Sequence, residues 1–506
     1  SIDVTGTDTI YVKSQFRMYP SSNTHLTLGD ANIKWTGTDN FSLFAGYNND
    51  YNDLIFDAQS TGGTQVYFEG NTNTIKDVFI NAKGTQYLSL SSNFTVRNLT
   101  LDYQNNYTAN PSLNFSGNWN VTGTFKVQGP STIKNNIYSY SNNTFNIFDV
   151  PSVNQWILRA NTTQTFTDLK PISGTCEQTV TIKGESLGSQ GTFSMALNTF
   201  NGDWLILQDV KATGAGSFVA DNTVDLGNVS GWTVNVIAPR DFYWVGNNGY
   251  WNVPSNWSET SGGAPGVCGV PNRTDNAIFD ANSFSAAGQY VNVNIEAECK
   301  NMIWSNVTAG AGINGGSSMN IYGSLELSNG MAFNHGGTFY FQSVTSGNTI
   351  KTNGVQMRQT IFRGQSQATG EWTLLDDFNA HNSYLYFERG SLFTNGHNID
   401  VHSFYNWTGS VANIYLSQNQ SESNYVKVQY EFRIYPTSNV NVYADSTDII
   451  FENNNNHMYF YSGDYDAQYR DIIFNSFANA GYYIHMQYPN KARDIKVTLA
   501  GNQYMY

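Results

Sequence analysis

The residues able to do chemistry in this chain are few and scattered. Three acidic pairs stand close in sequence: Asp376-Asp377, Asp464 with Asp466, and Glu296 with Glu298. In polysaccharide-cleaving β-helices, carboxylates gather on one exposed face beside Arg, Lys or His and act as general acid, general base or calcium ligands. Asp376-Asp377 follows Trp372, and its nearest basic or imidazole neighbour is His381, at an expected strand end. Asp464-Tyr465-Asp466 could be a short calcium loop. The stretch corresponding to it near the start of the chain, Tyr47-Asn48-Asn49-Asp50, does not keep both carboxylates, which argues against a metal site in every repeat. The seven histidines, His25, His335, His381, His397, His402, His457 and His485, form no i, i+2 or i, i+4 pair suited to a metal. No phosphate-loop motif occurs, nor does the calcium nonapeptide of toxin-type solenoids. Neither a catalytic site nor a cofactor is therefore expected.

Three cysteines do not make a disulfide scaffold. Cys268 and Cys299 lie 31 positions apart around an apolar-alternating stretch and are expected to pair, with Cys176 left over. A loop of that size would stabilise by roughly 3–4 kcal/mol.

The elements that would position these groups are strands. Of 506 residues only 13% are charged and 15% are aromatic, with 32 Tyr, 31 Phe and 45 Gly. Aromatic and β-branched side chains suit a pleated, half-buried surface, while Gly and Asn supply turns. No long stretch carries apolar residues at helical spacing. The net charge of −14 disfavours nucleic acid and anionic lipid as partners. No run approaches the ~20 apolar residues of a membrane span, so direct membrane insertion is not expected. No signal peptide is read at the start, and the chain is taken as a mature protein or an excerpt.

The chain also repeats itself. Tyr11-Val12-Lys13 followed by Phe16-Arg17-Met18-Tyr19-Pro20 matches Tyr425-Val426-Lys427 followed by Phe432-Arg433-Ile434-Tyr435-Pro436. Asp53-Leu54-Ile55-Phe56 matches Asp471-Ile472-Ile473-Phe474, and Asp77-Val78 matches Asp494-Ile495, all near an offset of 417. Inside this long repeat, alternating pairs recur: Leu54 and Phe56, Val78 and Ile80, Leu99 and Leu101, Phe125 and Val127, at spacings of 24, 21 and 26. That period predicts an all-β parallel β-helix, a β-solenoid rod whose coils bury their apolar faces on one another. Roughly 22 coils at about 4.8 Å would give a rod on the order of 100 Å long. The alternative is a tandem array of β-sandwich domains.

Residues 240–300 break the rhythm with Tyr243-Trp244, Tyr250-Trp251, Trp257, Gly262-Gly263 and Pro265-Gly266. The expected organisation is a solenoid segment at 1–239, a Trp/Gly/Cys-rich seam or inserted module at 240–300, a second solenoid segment at 301–424, and the start of the next copy at 425–506. The aromatics Tyr250, Trp251 and Trp257 either pin loops to the rod or form a sugar-stacking platform. Arg17 and Arg433 are expected to cap coils or meet acidic groups, with their stems on Tyr19 and Tyr435.

At these residues a resemblance emerges. The run Tyr243-Trp244-Val245-Gly246, Trp251, Trp257, Cys268, Pro271, Asp275-Asn276, Phe279-Asp280-Ala281-Asn282, Cys299-Lys300-Asn301-Met302 and Trp304 resembles a repeat of giant cell-surface proteins of the Bacteroidota, the SprB-type gliding-motility adhesins. Further matches, including Asp225-Leu226-Gly227-Asn228 and Gly323-Ser324-Leu325-Glu326-Leu327, extend it over most of residues 170–400. The resemblance implies type IX secretion, anchoring at the outer membrane through other parts of the full protein, contact there with the secretion and gliding machinery, and service as an extracellular filament. It also implies O-glycans at Asp-Ser/Thr-apolar triplets: Asp8-Thr9-Ile10 fits, and Asp445-Ser446-Thr447 is a looser match. The expected function is a repeat segment of a filamentous adhesin that supplies length and weak, multivalent binding to polysaccharide or substratum. The rival readings are a polysaccharide-active β-helix enzyme and a passive spacer.

Overall fold

The computed structural model describes the chain except residues 1, 4–8, 19–25, 28–29, 39, 48, 60–63, 72, 83–85, 104–109, 131, 267, 366–369, 407–409, 418–422, 436–438, 454–456, 464–466, 477–481, 488–490, 500–502 and 506. The chain is 61% strand and forms a parallel β-solenoid of about 18 turns, fewer and on average longer than the spacing of the first coils predicts. It divides into two compact units, Ser1–Ile237 and Ala238–Tyr506. Among the described residues no helix is long and apolar enough to cross a membrane.

The first unit has two principal ladders. One runs through Leu54–Ala58, Asn73–Ala82, Phe94–Tyr103, Trp119–Gln128 and Asn143–Asp149; the other through Thr64–Asn71, Gln86–Leu90, Ser112–Phe115 and Asn135–Ser139. The alternating pairs seen in the sequence lie in one file. Leu54 pairs with Val78, Val78 with Leu99 and Leu99 with Phe125, while Phe56, Ile80, Leu101 and Val127 form the parallel row. Both rows are buried, Leu54, Val78, Leu99 and Phe125 completely. Aromatic rings interlock along this core. Phe125 lies 5.0 Å from Phe148, Phe148 stacks on Trp156 at 4.8 Å, and Trp156 meets Phe193 at 4.8 Å. Each fully buried ring contributes roughly 2–3 kcal/mol from the area it withdraws from water.

Asparagine joins the coils where the chain turns. Asn143 is buried; its Oδ1 accepts the backbone N–H of Trp119 at 2.9 Å, and its Nδ2 donates to Gln164 Oε1 at 2.9 Å. Asn73 likewise accepts from the N–H of Asn49 and donates to the carbonyl of Gly46. A side-chain amide carries both donor and acceptor, so it can satisfy backbone groups that would otherwise be buried unpaired at a bend. The abundance of Asn is thus a requirement of the coil corners. Asn also occupies left-handed turn positions such as Asn161, Asn306 and Asn353, where its short polar side chain tolerates positive φ.

The second unit begins three-sided. Asn276–Phe279, Met302–Trp304, Leu325–Glu326 and Asn348–Lys351 stack on one face. Tyr290–Val293, Gly312–Gly315 and Ala332–His335 form a second face. Ala297–Cys299, Met319–Ile321, Phe339–Phe341 and Thr360–Arg363 form the third. The strand Phe378–Phe393 then joins two faces: its middle, residues 385–389, pairs with Thr360–Arg363, and its end with Glu371–Leu374. The tryptophan-rich stretch opens this unit as part of its core. No unit boundary falls near 300 or 424, because Ala277 pairs with Met302 and Ile399 with Val426 across those positions.

The two sequence copies adopt the same coils. Ile10 pairs with Ile33 and Ile33 with Leu54; Val426 pairs with Ile449 and Ile449 with Ile472. Phe16 pairs with Leu43 as Phe432 pairs with Phe460. Ile10 and Val12 therefore correspond to Val426 and Val428. The sequence match of Tyr11-Val12-Lys13 to Tyr425-Val426-Lys427 is two residues out of structural register, a displacement absorbed before Phe432.

Replacing Asn143 with Ala strands the Trp119 N–H inside the coil and should cost about 2–3 kcal/mol. Urea denaturation of the variant against the parent measures this, and Asn201→Ala on an exposed position should change stability by less than about 0.5 kcal/mol.

Candidate functional site

The acidic groups singled out in the sequence serve as ties between coils. Asp376 accepts the N–H groups of Thr352 (2.8 Å) and Asn353, whereas Asp377 accepts the N–H (2.8 Å) and Nδ2 (3.0 Å) of Asn398. The two carboxylates reach toward opposite neighbouring coils, so they diverge. Glu296 accepts from Asn320, and Glu298 holds Arg273 through two hydrogen bonds of 3.1 and 2.6 Å. Most ion pairs follow this rule: Arg240 with Asp275, Arg363 with Glu388 and Arg470 with Asp448 each span more than twenty residues of sequence. Asp464 and Asp466, and with them the calcium-loop reading, lie outside the described residues. Among the described residues no group of three or more His, Cys, Asp or Glu stands where it could hold a metal.

The expected Cys268–Cys299 bond is not formed. Cys299 is a free thiol, fully buried on the inward face of Ala297–Cys299, while Cys268 lies exposed on a loop. Strand alternation decides this, since it turns Cys299 into the core. Cys176 and Cys268 are the disulfide-bonded cysteines. Burial raises the Cys299 thiol far above its ordinary range.

The sugar-platform reading of Tyr250, Trp251 and Trp257 is also corrected. Only Tyr250 is exposed; Trp251 and Trp257 are completely buried, 4.9 Å apart, and Trp257 Nε1 donates to the carbonyl of Trp251. Of the glycosylation positions, Thr9 is partly exposed and its neighbour Asp8 lies outside the described residues. Ser446 is buried, with its N–H donated to Ser417, which leaves no room for a glycan in the folded coil. Arg17 and Arg433 stand over Phe44 (4.0 Å) and Tyr461 (4.6 Å), equivalent rings one coil further on, and Arg433 also pairs with Glu431; Tyr19 lies outside the described residues.

An outward-facing aromatic strip was not anticipated. It crosses five successive strands of the second unit: Phe378–Phe393, Ile399–Asn406, Asn424–Ile434, His457–Ser462 and Tyr482–Gln487. Alternation places it there. In His457–Ser462, Met458 and Phe460 point into the core, and His457, Tyr459 and Tyr461 point out. Tyr384 lies 5.0 Å from His402, His402 5.8 Å from Tyr430, Tyr430 5.2 Å from Tyr459, and Tyr459 4.6 Å from His485, nearly parallel to it. Tyr386 and Tyr405 extend the strip on one side, and His457 and Tyr483, 4.9 Å apart, on the other. Four coil steps give it a length of roughly 19 Å. A second ladder, Phe393–Tyr415–Tyr443, stacks at 4.4 and 4.5 Å beside a groove of about 510 Å³ that also contains Asp445 and Gln468.

Several groups of the strip are uncharged at neutral pH, with the Arg433 guanidinium over Tyr461 at its edge. Burial raises the phenols of Tyr386, Tyr430 and Tyr461, so they remain protonated hydrogen-bond donors at neutral pH. Burial, with the nearby His381, lowers the imidazole of His402, which stays neutral. Glu431 is raised by burial against the opposing pull of Arg433. Such a surface offers flat apolar faces and polar edges. It suits an uncharged, flat ligand with hydroxyl groups.

Comparison with family models, with curated proteins and with solved structures finds no match for this chain.

Two measurements follow. His335 is fully buried beside Phe339, and burial holds its pKa below the ordinary 6.5. As pH falls through about 6.5 the unfolded chain takes up a proton that the folded coil refuses, so stability declines toward acid. His335→Leu should flatten the fall in urea midpoint between about pH 7.5 and 5.5. Separately, a thiol reagent should leave Cys299 unmodified in the native protein and label one thiol after non-reducing denaturation.

Proposed function

We propose that this chain is a repeat segment of an exported cell-surface filament, anchored at the outer membrane through other parts of the full protein, that binds neutral polysaccharide weakly and many times over. The aromatic strip from Tyr384 to His485 carries this reading. One face of a pyranose presents C–H groups to an aromatic ring, and its hydroxyls can reach phenol and imidazole edges. Tyrosine supplies such contact at small cost in side-chain entropy. The acidic balance of the chain adds selectivity by repelling anionic polymers. The resemblance to gliding-motility adhesins supports the same assignment, with a polysaccharide-coated substratum as partner. Single contacts would be feeble, and repetition along a filament would raise avidity without a deep pocket.

Incubation of the full chain with insoluble cellulose, chitin and agarose tests the proposal. At least one should deplete it from solution, and combined Tyr384→Ala, Tyr459→Ala and His485→Ala should reduce retention about five-fold or more. Tyr11→Ala, at an exposed tyrosine outside the strip, should leave retention unchanged. Equal retention of the strip variant, or none on any matrix, would refute the assignment.

A further inference from the structure

Two strands near the start of the first unit have ladder partners on one side only. Thr9–Val12 pairs with Asn32–Gly37, and Gln15–Arg17 with Phe41–Tyr47; among the described residues nothing pairs with their other edges. Ile10, Val12 and Phe16 are accordingly only partly buried. Their equivalents in the second copy are Val426, Val428 and Phe432, and all three are completely buried. The difference is one extra layer. Ile399–Asn406 lies beneath Asn424–Ile434, with Ile399 paired to Val426, Val401 to Val428, Phe404 to Phe432 and Asn406 to Ile434.

This layer belongs to the end of one copy, and the strand it covers belongs to the start of the next. The chain therefore contains one complete repeat-to-repeat junction, and it lies inside a continuous parallel ladder. We propose that consecutive copies of the long repeat join as an unbroken solenoid, with a strand equivalent to Ile399–Asn406 of a preceding copy covering Thr9–Val12 and Gln15–Arg17. The register is fixed by equivalence: Ile399 against Ile10, Val401 against Val12, Phe404 against Phe16.

The chemistry of the two surfaces agrees with this. Ile399, Val401 and Phe404 form a completely buried inward row, and Ile10, Val12 and Phe16 offer a matching row with unfilled space. A parallel edge leaves backbone donors and acceptors open to any strand. Only a strand with this apolar alternation would complete the core as well as the hydrogen bonds. Backbone equivalence also sets the crossing. Ile2 lies under Leu26 as Ile414 lies under Val442, so the incoming chain should join near Ala412. The inference stands apart from polysaccharide binding, because it uses only core positions and ladders.

The test is hydrogen exchange followed by mass spectrometry on the 506-residue chain and on a chain with residues 371–412 duplicated ahead of Ser1. Amides of residues 9–17 should exchange about ten-fold or more slowly in the extended chain. Val401→Asp with Phe404→Asp in the added copy alone should restore the original rate. Unchanged exchange in the extended chain would overturn the proposal and favour separate repeats on flexible tethers. So would equal slowing with the disrupted copy, which would show a non-specific effect. Exchange at residues 9–17 reads the junction, whereas retention of the 506-residue chain on polysaccharide reads the strip from Tyr384 to His485, so failure of either proposal is visible independently.

Discussion

Everything in this molecule depends on parallel registration of one coil on the next. A single coil has a few short strands, an apolar row exposed on both sides, and backbone groups directed along the stacking direction. It can satisfy none of these alone. Stacking satisfies them together: Val78 covers Leu54 and is covered by Leu99, while the ladder closes the hydrogen bonds between them. The parallel arrangement also forces long connections, and these become the corners where buried Asn73 and Asn143 replace missing backbone partners.

The same geometry explains which parts were legible in the sequence. The file Leu54, Val78, Leu99 and Phe125 was readable because apolar and polar positions alternate and recur at coil length. The copy near residue 425 was readable because core positions such as Phe16 and Phe432 are held by the same stacking. The cysteine pairing was misread because spacing says nothing about direction; Cys299 turns inward on a strand of three residues. Trp251 and Trp257 left two readings open, packing or a sugar platform, because glycine and proline around them suggest a loop; the rings fill the first layers of a core, which is the packing reading.

The aromatic strip was illegible for a different reason. In His457-Met458-Tyr459-Phe460-Tyr461 both faces of the strand are bulky and largely apolar, so alternation of polarity carries no signal. Only the fold shows that Met458 and Phe460 are inside. Imidazole also meets phenol only across coils, as in His457 with Tyr483 and His485 with Tyr459, a pairing that no short sequence spacing marks. Carboxylates posed the opposite problem. Asp376 and Asp377 look like a chemical pair in sequence, but they stand in the bend between Glu371–Leu374 and Phe378–Phe393 and reach to coils on either side.

The equivalence of the two copies separates folding from display. Where the later copy presents Tyr459 and Tyr461, the earlier one has Ser42 and Phe44 on the matching strand, although Leu43 and Phe460 occupy the same inward place. The inner row holds the instructions for assembly, and the outer row is free of them. Duplication of such a unit can therefore reset an exterior surface without disturbing the scaffold. A long array could present many different skins on one skeleton, changing what it touches from one stretch to the next while keeping its stiffness.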